Sequence, residues 1–366
     1  MVLSMTIKQP VVLFGAGATK ACGGPLTNEI LPHAFDPEFK PKPHPFLDHL
    51  DQFLVDEFHL PKNVAERKKE QYPGLPLLLS LIDTAIDRKQ PLGSKSRLDD
   101  LLRLRAALEF TIFAVLDHDL RKIPTNHYAA LFKRLLAEVR HAPSAITLNY
   151  DIIADRSLRK LTGQFPDYGC DVATAQYRKQ ADKYELLKLH GSLNWIYCPG
   201  CHQLDVGVSK SGWQTEKVLY EIYNKAPDST DWYSAVHKMC KVCGAGIRPV
   251  MITPTTRKDY RNPHIAAVWY RAERLLQRAN RVIIVGYSLP EDDVEVIYLL
   301  KRGLKNVDPK QISVVEFDEM DRGLEEHPVG QRYRSLFGPD IEWSTKGFDG
   351  WLKQYAKKGR SILTRK

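Results

Sequence analysis

Four of the six cysteines form two Cys-x-x-Cys pairs, Cys198 with Cys201 and Cys240 with Cys243. Two such knuckles can supply four thiolates to one tetrahedral zinc ion, and a shell closed by four protein ligands makes the ion structural, not catalytic. The 38 residues between the pairs exceed the usual ribbon spacing of about 15–20. Reduced thiols packed in a core are the alternative. Cys22 and Cys170 stand alone. In a cytosolic protein this arithmetic favours metal over disulfides.

Five further groups of residues could do chemistry, each at or near the end of a largely apolar run. Gly15-Ala16-Gly17-Ala18-Thr19 follows residues 11–14, and glycines there let the backbone approach a diphosphate at a helix start. A tight turn using glycine for conformational reasons is the plainer explanation. Asn149 and Asp151 follow the run 145–148; an amide and a carboxylate can position a ligand or simply cap the next helix. His190 follows 185–189, and an imidazole titrates where proton transfer near neutrality is easy. A single histidine can equally be structural. Gly286-Tyr287-Ser288 follows another such run and could touch ribose or phosphate, or serve only as a turn, while Glu316 and Asp318, around the end of a further strand, could accept from ribose hydroxyls.

These residues need elements to hold them. Strands are expected at 11–14, 145–148, 185–189, 250–253, 281–285, 312–317 and 341–344. Helices are expected at 26–34, 152–161, 263–279, 291–304 and 347–356. Apolar strands alternating with helices imply an α/β fold, a Rossmann-like parallel sheet with helices on both faces. Between the first two strands, residues 36–141 read as a mainly helical insertion, after the Pro-rich connector at 40–45. One helix starts at Ser96, an N-cap with Asp99 three residues on, and another carries Tyr128, Leu131, Leu135 and Val139. The four-cysteine module spans about 196–248.

The net charge of +9 (53 Lys and Arg against 44 Asp and Glu) is spread over the chain. Local exceptions are residues 67–69 and the basic residues from 357 onward. A solvated surface accounts for this, direct nucleic-acid binding is not expected, and an anionic ligand could use part of it. No apolar run approaches the roughly 20 residues of a membrane span. The run at 11–14 is too short for a signal-peptide core, so a cytoplasmic location is expected.

Taken in order, these pieces resemble the sirtuin superfamily. Gly15–Thr19 is similar to its G-A-G-I-S, Thr147-Leu148-Asn149-Tyr150-Asp151 to T-Q-N-I-D, His190-Gly191 to the catalytic H-G, and Gly286-Tyr287-Ser288-Leu289 to G-T-S-L. The cysteine pairs follow the H-G in the same order. Two departures stand out: Leu26-Thr27-Asn28 replaces D-F-R after G-I-P, and residues 250–255 replace the F-G-E stretch that holds an acylated peptide. That combination resembles the sirtuin-like NAD hydrolases of bacterial antiphage defence. The resemblance implies NAD+ as substrate, cleaved to nicotinamide and ADP-ribose, with protein deacylation or ADP-ribosyl transfer as the alternative. His190 would act as general base, while Asn149 and Asp151 would position nicotinamide, ribose or water. Gly15, Ala16, Gly17, Ala18 and Thr19 would hold the diphosphate, and Pro25, Leu26, Thr27, Gly286, Tyr287, Ser288 and Glu316 would complete the NAD site. Cys198, Cys201, Cys240 and Cys243 would hold structural zinc. A homo-oligomer and a gating partner protein are expected, because an ungated NAD hydrolase would harm its own cell.

Overall fold

The computed structural model describes residues 9–38, 45–93, 97–120, 123–138, 144–174, 184–206, 239–255 and 258–363. Ser96, Val139 and the stretch 207–238 between the cysteine pairs lie outside these residues. The strands are β1 (Gln9–Phe14), β2 (Ser144–Thr147), β3 (Leu186–Lys188), β4 (Gly191–Tyr197), β5 (Leu204–Val206), β6 (Arg248–Met251), β7 (Ala279–Val285), β8 (Ile312–Val315) and β9 (Glu342–Ser344). The first helices are α1 (Ala16–Ala21), α2 (Ile30–Ala34), α3 (Pro45–Phe58), α4 (Leu75–Arg88), α5 (Leu98–Leu120), α6 (His127–Glu138) and α7 (Ile153–Thr162). They are followed by α8 (Pro263–Arg278), α9 (Val294–Gly303), α10 (Pro328–Phe337) and α11 (Gly347–Leu363).

The chain divides into two compact units, Met1–Gly23 with Ile123–Ser192 and Arg261–Lys366, and Gly24–Lys122 with Leu193–Tyr260. In the first, six strands pair in the order β3-β2-β1-β7-β8-β9, and every pairing is parallel. Numbered along the sheet alone, that is 3-2-1-4-5-6, the doubly wound order whose direction reverses between β1 and β7. Residues 11–14 are fully buried, as a central parallel strand covered on both faces requires. Helix α8 packs on β1, β3, β7 and α9, while α6 packs on α7 and α11, and α11 on β8. Phe14 at the end of β1 meets Tyr128 and Phe132 of α6 and Phe348 of α11, with ring centroids 4.4, 5.9 and 6.1 Å away. Each such fully buried ring contributes about 1.5–3 kcal/mol of burial free energy.

In the second unit α5 is buried on most of its circumference, and α2, α3 and α4 pack on it. A helix apolar almost all round belongs inside a bundle. A small sheet of order β5-β4-β6 completes this unit, with β4 and β5 antiparallel.

The structure corrects several sequence expectations. The strand expected at 250–253 is β6, which ends at Met251 and belongs to the small sheet, not to the parallel one; apolar runs do not reveal their pairing partner. The helix expected from 291 begins at Val294, because Leu289 is left-handed (φ 50°) and Pro290 to Asp293 closes a turn. Residues 26–34 form a single 3-10 turn and the five-residue α2. Helix α6, which sequence reading groups with the helical insertion, packs in the first unit.

Candidate active site and metal centre

In an open α/β sheet the ligand crevice lies outside the carboxyl ends of the strands where the order reverses. Here that point is built from two interlocked turns, one after β1 and one after β7. Gly15 N–H donates to the Val285 carbonyl (2.9 Å), Gly17 N–H to the Gly286 carbonyl (2.8 Å) and Gly286 N–H to the Val315 carbonyl (2.8 Å). A Cβ on Gly15 would lie 2.5 Å from the Gly286 oxygen, and one on Gly286 2.4 Å from the Ala18 nitrogen. Gly286 also holds φ at +62°, a region L side chains avoid. Backbone packing therefore demands these glycines before any ligand is considered, and the same bare backbone opens helix α1 at the crevice.

Strands β2 and β3 bring the polar groups to the same edge. The ladder runs one residue past each strand, with Leu148 N–H donating to Phe14 and Leu189 N–H to Thr147. Asn149 and His190 thus leave the sheet side by side in strand order. The Asn149 amide nitrogen donates to the Gly15 carbonyl (2.8 Å) and Thr19 Oγ1 (2.9 Å), and lies 3.2 Å from Tyr128 Oη. The Thr19 hydroxyl in turn donates to Asp151 Oδ2 (2.5 Å), while Asp151 Oδ1 accepts from Ile153 N–H (2.9 Å) at the start of α7. Asp151 is 4% exposed and both oxygens are engaged inside the protein. Burial raises its carboxyl above the ordinary range, against the pull of Lys188 and the Thr19 hydrogen bond. Its contacts make it the anchor of Thr19 and, through Thr19, of Asn149.

Beneath this layer Lys188 is fully buried, donating to the Asp151 carbonyl (2.5 Å) and to Asp155 Oδ2 (3.0 Å), whose other oxygen accepts a hydrogen bond from the Tyr168 hydroxyl. A charge this deep is tolerated only when paired and hydrogen-bonded. Sequence reasoning missed Lys188, Tyr128 and Asp155. A lysine inside the apolar run 186–189 was the visible signal for the first; Tyr128 was indistinguishable from its apolar helix neighbours.

His190 is 8% exposed. Its Nδ1 lies 3.2 Å from the Leu148 carbonyl, which can only accept, so in the neutral ring Nδ1 carries the proton and Nε2 the lone pair. The ring stands 6.4 Å from Trp269, whose indole N–H donates to the Leu189 carbonyl (2.9 Å). A backbone-fixed imidazole with a basic Nε2 is equipped to take a proton.

On the other side of the switch point Tyr287 is buried, donating to Asp293 (2.7 Å) and accepting at its carbonyl from Tyr333 (2.7 Å), while Arg332 holds the Ser288 carbonyl (2.8 Å). Ser288 is exposed. Glu316 extends β8, and burial pushes its carboxyl up to about 7 despite Arg332 nearby. Its Oε1 is buried with no hydrogen-bond partner among the described residues, a costly arrangement that a ligand donor would relieve. Pro25, Leu26 and Thr27 fall in the second unit, where the Leu26 N–H donates to Glu29 (2.8 Å).

The second unit also brings the four paired cysteines together. All four sulfurs lie within 4.8 Å of one another, with Cys198 and Cys243 3.4 Å apart and Cys201 and Cys240 3.8 Å apart. Thiolates about 2.3 Å from one zinc ion are separated by about 3.8 Å along each tetrahedral edge. The donor set fits zinc. Each pair closes a knuckle, Cys198 N–H bonding the Gln203 carbonyl and Val242 N–H reaching the Cys240 sulfur. Purified protein should contain about one zinc per chain by elemental analysis. Cys240→Ser should lose most of it and melt lower, because three ligands leave the shell incomplete; wild-type protein with well under one equivalent would refute the site.

No protein-family model matches the chain, and no curated protein matches it. Among solved structures, similar ones include Sir2 bound to acetylated peptide (TM-score 0.43, 14% identity, covering 96% of this chain and 93% of that one). A Sir2–p53 peptide–NAD+ structure is similar at TM-score 0.41 and 15% identity, with the same coverage. A third, a study of the mechanism and regulation of Sir2 enzymes, stands at TM-score 0.40 and 15% identity, covering 97% and 94%. The strand order and the residues of this chain, not these similarities, define the fold. It is a doubly wound α/β protein with glycine turns, an anchored amide and an imidazole at its switch point.

Proposed function

We propose that this chain is a sirtuin-like NAD+ hydrolase that releases nicotinamide and ADP-ribose. The observation that carries the reading is the placement of Asn149 and His190 together at the carboxyl edge, beside the glycine turns of the reversal point. The turn at Gly15–Thr19 receives the diphosphate, and Gly286, Tyr287, Ser288 and Glu316 face the adenosine half. The bond between ribose C1′ and the nicotinamide nitrogen breaks, and nicotinamide leaves with the electron pair. Water adds its oxygen to C1′ and yields a proton to His190 Nε2, directly or through a ribose hydroxyl. Asn149 orients the reacting end, held by Thr19 and Asp151. The zinc would only support the fold around the cysteine pairs. The whole chain then acts as one NAD-binding domain with a helical insertion at about 36–141 and a zinc module at about 196–248.

Hydrolysis is favoured over deacylation because residues 26–28 and 250–255 lack the family features that hold an acylated peptide. Water is then the acceptor closest to hand. We further propose that the enzyme is cytoplasmic, homo-oligomeric and gated by a partner in antiphage defence. Incubated with NAD+ and no peptide, over a range of protein concentrations and in cells under phage challenge, it should produce nicotinamide and ADP-ribose. NAD+ loss that appears only with acyl-lysine peptide, one for one, would instead make it a deacylase.

A further inference from the structure

Outside the cysteine cluster, one other group of metal-ligating side chains converges among the described residues. His33 lies in the last turn of α2, and His118 and Asp119 in the last turn of α5, the two helices packing on each other within the second unit. Their ligand atoms all lie within 4.8 Å of one another. His33 Nε2 is 3.1 Å and His118 Nδ1 3.0 Å from the same Asp119 oxygen, Oδ1.

We propose that His33, His118 and Asp119 form a second metal site, for a divalent first-row transition ion. Two imidazole nitrogens and one carboxylate oxygen suit zinc, nickel or cobalt, whereas calcium and magnesium prefer oxygen donors throughout. Ligands bonded at about 2.1 Å to one ion are separated by about 3.0 Å at a right angle and about 3.4 Å at the tetrahedral angle. The two nitrogen–oxygen separations fall at the short end of that range, so Asp119 already stands at ligand spacing from both imidazoles. An ion can also enter: the side chains of His33 and His118 are 37% and 49% exposed, while Asp119 is held at 11%. The partial negative charge at the carboxyl end of the 23-residue α5 favours a cation at this position. Three protein ligands leave coordination positions to water, unlike the closed shell of four cysteines. Bridging two helices, the ion clips α2 to the end of α5.

The test is calorimetric titration of the full chain, its cysteine site already filled with zinc, with Ni2+ and separately with Zn2+. One further equivalent should bind, and the melting temperature should rise with it. His33→Ala and His118→Ala should each weaken that binding by at least about 10–100-fold, since losing a direct ligand costs no less than losing an outer partner. Both should keep the cysteine-bound zinc. His118→Gln, a gentler change at an exposed position, should behave as His118→Ala does. Absence of the extra equivalent, or an extra equivalent that survives these substitutions unchanged, overturns the site and leaves an ordinary ion-pair cluster.

Discussion

His190→Ala should lower NAD+ turnover at least about 10²-fold, the usual contribution of a positioned acid–base group, while NAD+ binding changes little. The reason is the hydrogen bond from Nδ1 to the Leu148 carbonyl, which sets the tautomer and leaves Nε2 as the proposed base. Alanine removes that bond as well, so a loss of rate alone could reflect a shifted β3 end. His190→Asn separates the two causes. Its side-chain amide retains a donor near Leu148 but offers no nitrogen base, and it should be as inactive as alanine. Both variants should melt close to wild type. If His190→Asn kept near-wild-type turnover, the histidine would be structural and the proposed chemistry would need another base.

Gly286→Ala should unfold the protein under conditions in which Gly163→Ala is tolerated. Both glycines have positive φ, +62° and +72°, so each substitution incurs about 1–2 kcal/mol from the left-handed backbone alone. A Cβ on Gly163 meets nothing within 4 Å, whereas one on Gly286 falls 2.4–2.5 Å from backbone atoms of Gly17 and Ala18. Backbone atoms cannot swing aside as a side chain can, and overpacking adds about 1–3 kcal/mol more. Gly163→Ala should therefore lower stability by about 1–2 kcal/mol and Gly286→Ala by about 2–5 kcal/mol in denaturant unfolding. Equal losses at the two positions would show that the switch-point turns are looser than their hydrogen bonds indicate.

The parallel core was legible because burial on both faces forces long apolar runs, and 11–14, 281–285 and 312–315 are such runs. The glycine turns were legible for the same reason, as they sit where those runs stop. The order of the strands was not, since nothing in an apolar run says which neighbour it will hydrogen-bond, and β6 illustrates the cost. The candidate site was legible as a set of strand ends, but its wiring was not. Asp151 reads on paper like a ligand contact, yet its two oxygens are taken by Thr19 and Ile153. The cysteine pairs were readable from spacing alone. His33, His118 and Asp119 were not, because their convergence depends on how α2 lies along α5.

The orientation of Asn149 sets what kind of molecule the crevice can accept. Both hydrogens of its amide are already committed to oxygens of the protein, at Gly15 and at the Thr19–Tyr128 hydroxyl pair. Turning the group over would point its oxygen at the Gly15 carbonyl, an acceptor facing an acceptor, so the amide cannot flip. What remains for a visitor is lone-pair density only. A ligand meeting Asn149 must bring a hydrogen-bond donor, such as a carboxamide or a hydroxyl, and a carboxylate in the same place would be repelled. In the proposed NAD+ site, Asn149 would thereby favour an amide over its acid, through the wiring of one side chain to the turn beside it and, by way of Thr19, to Asp151.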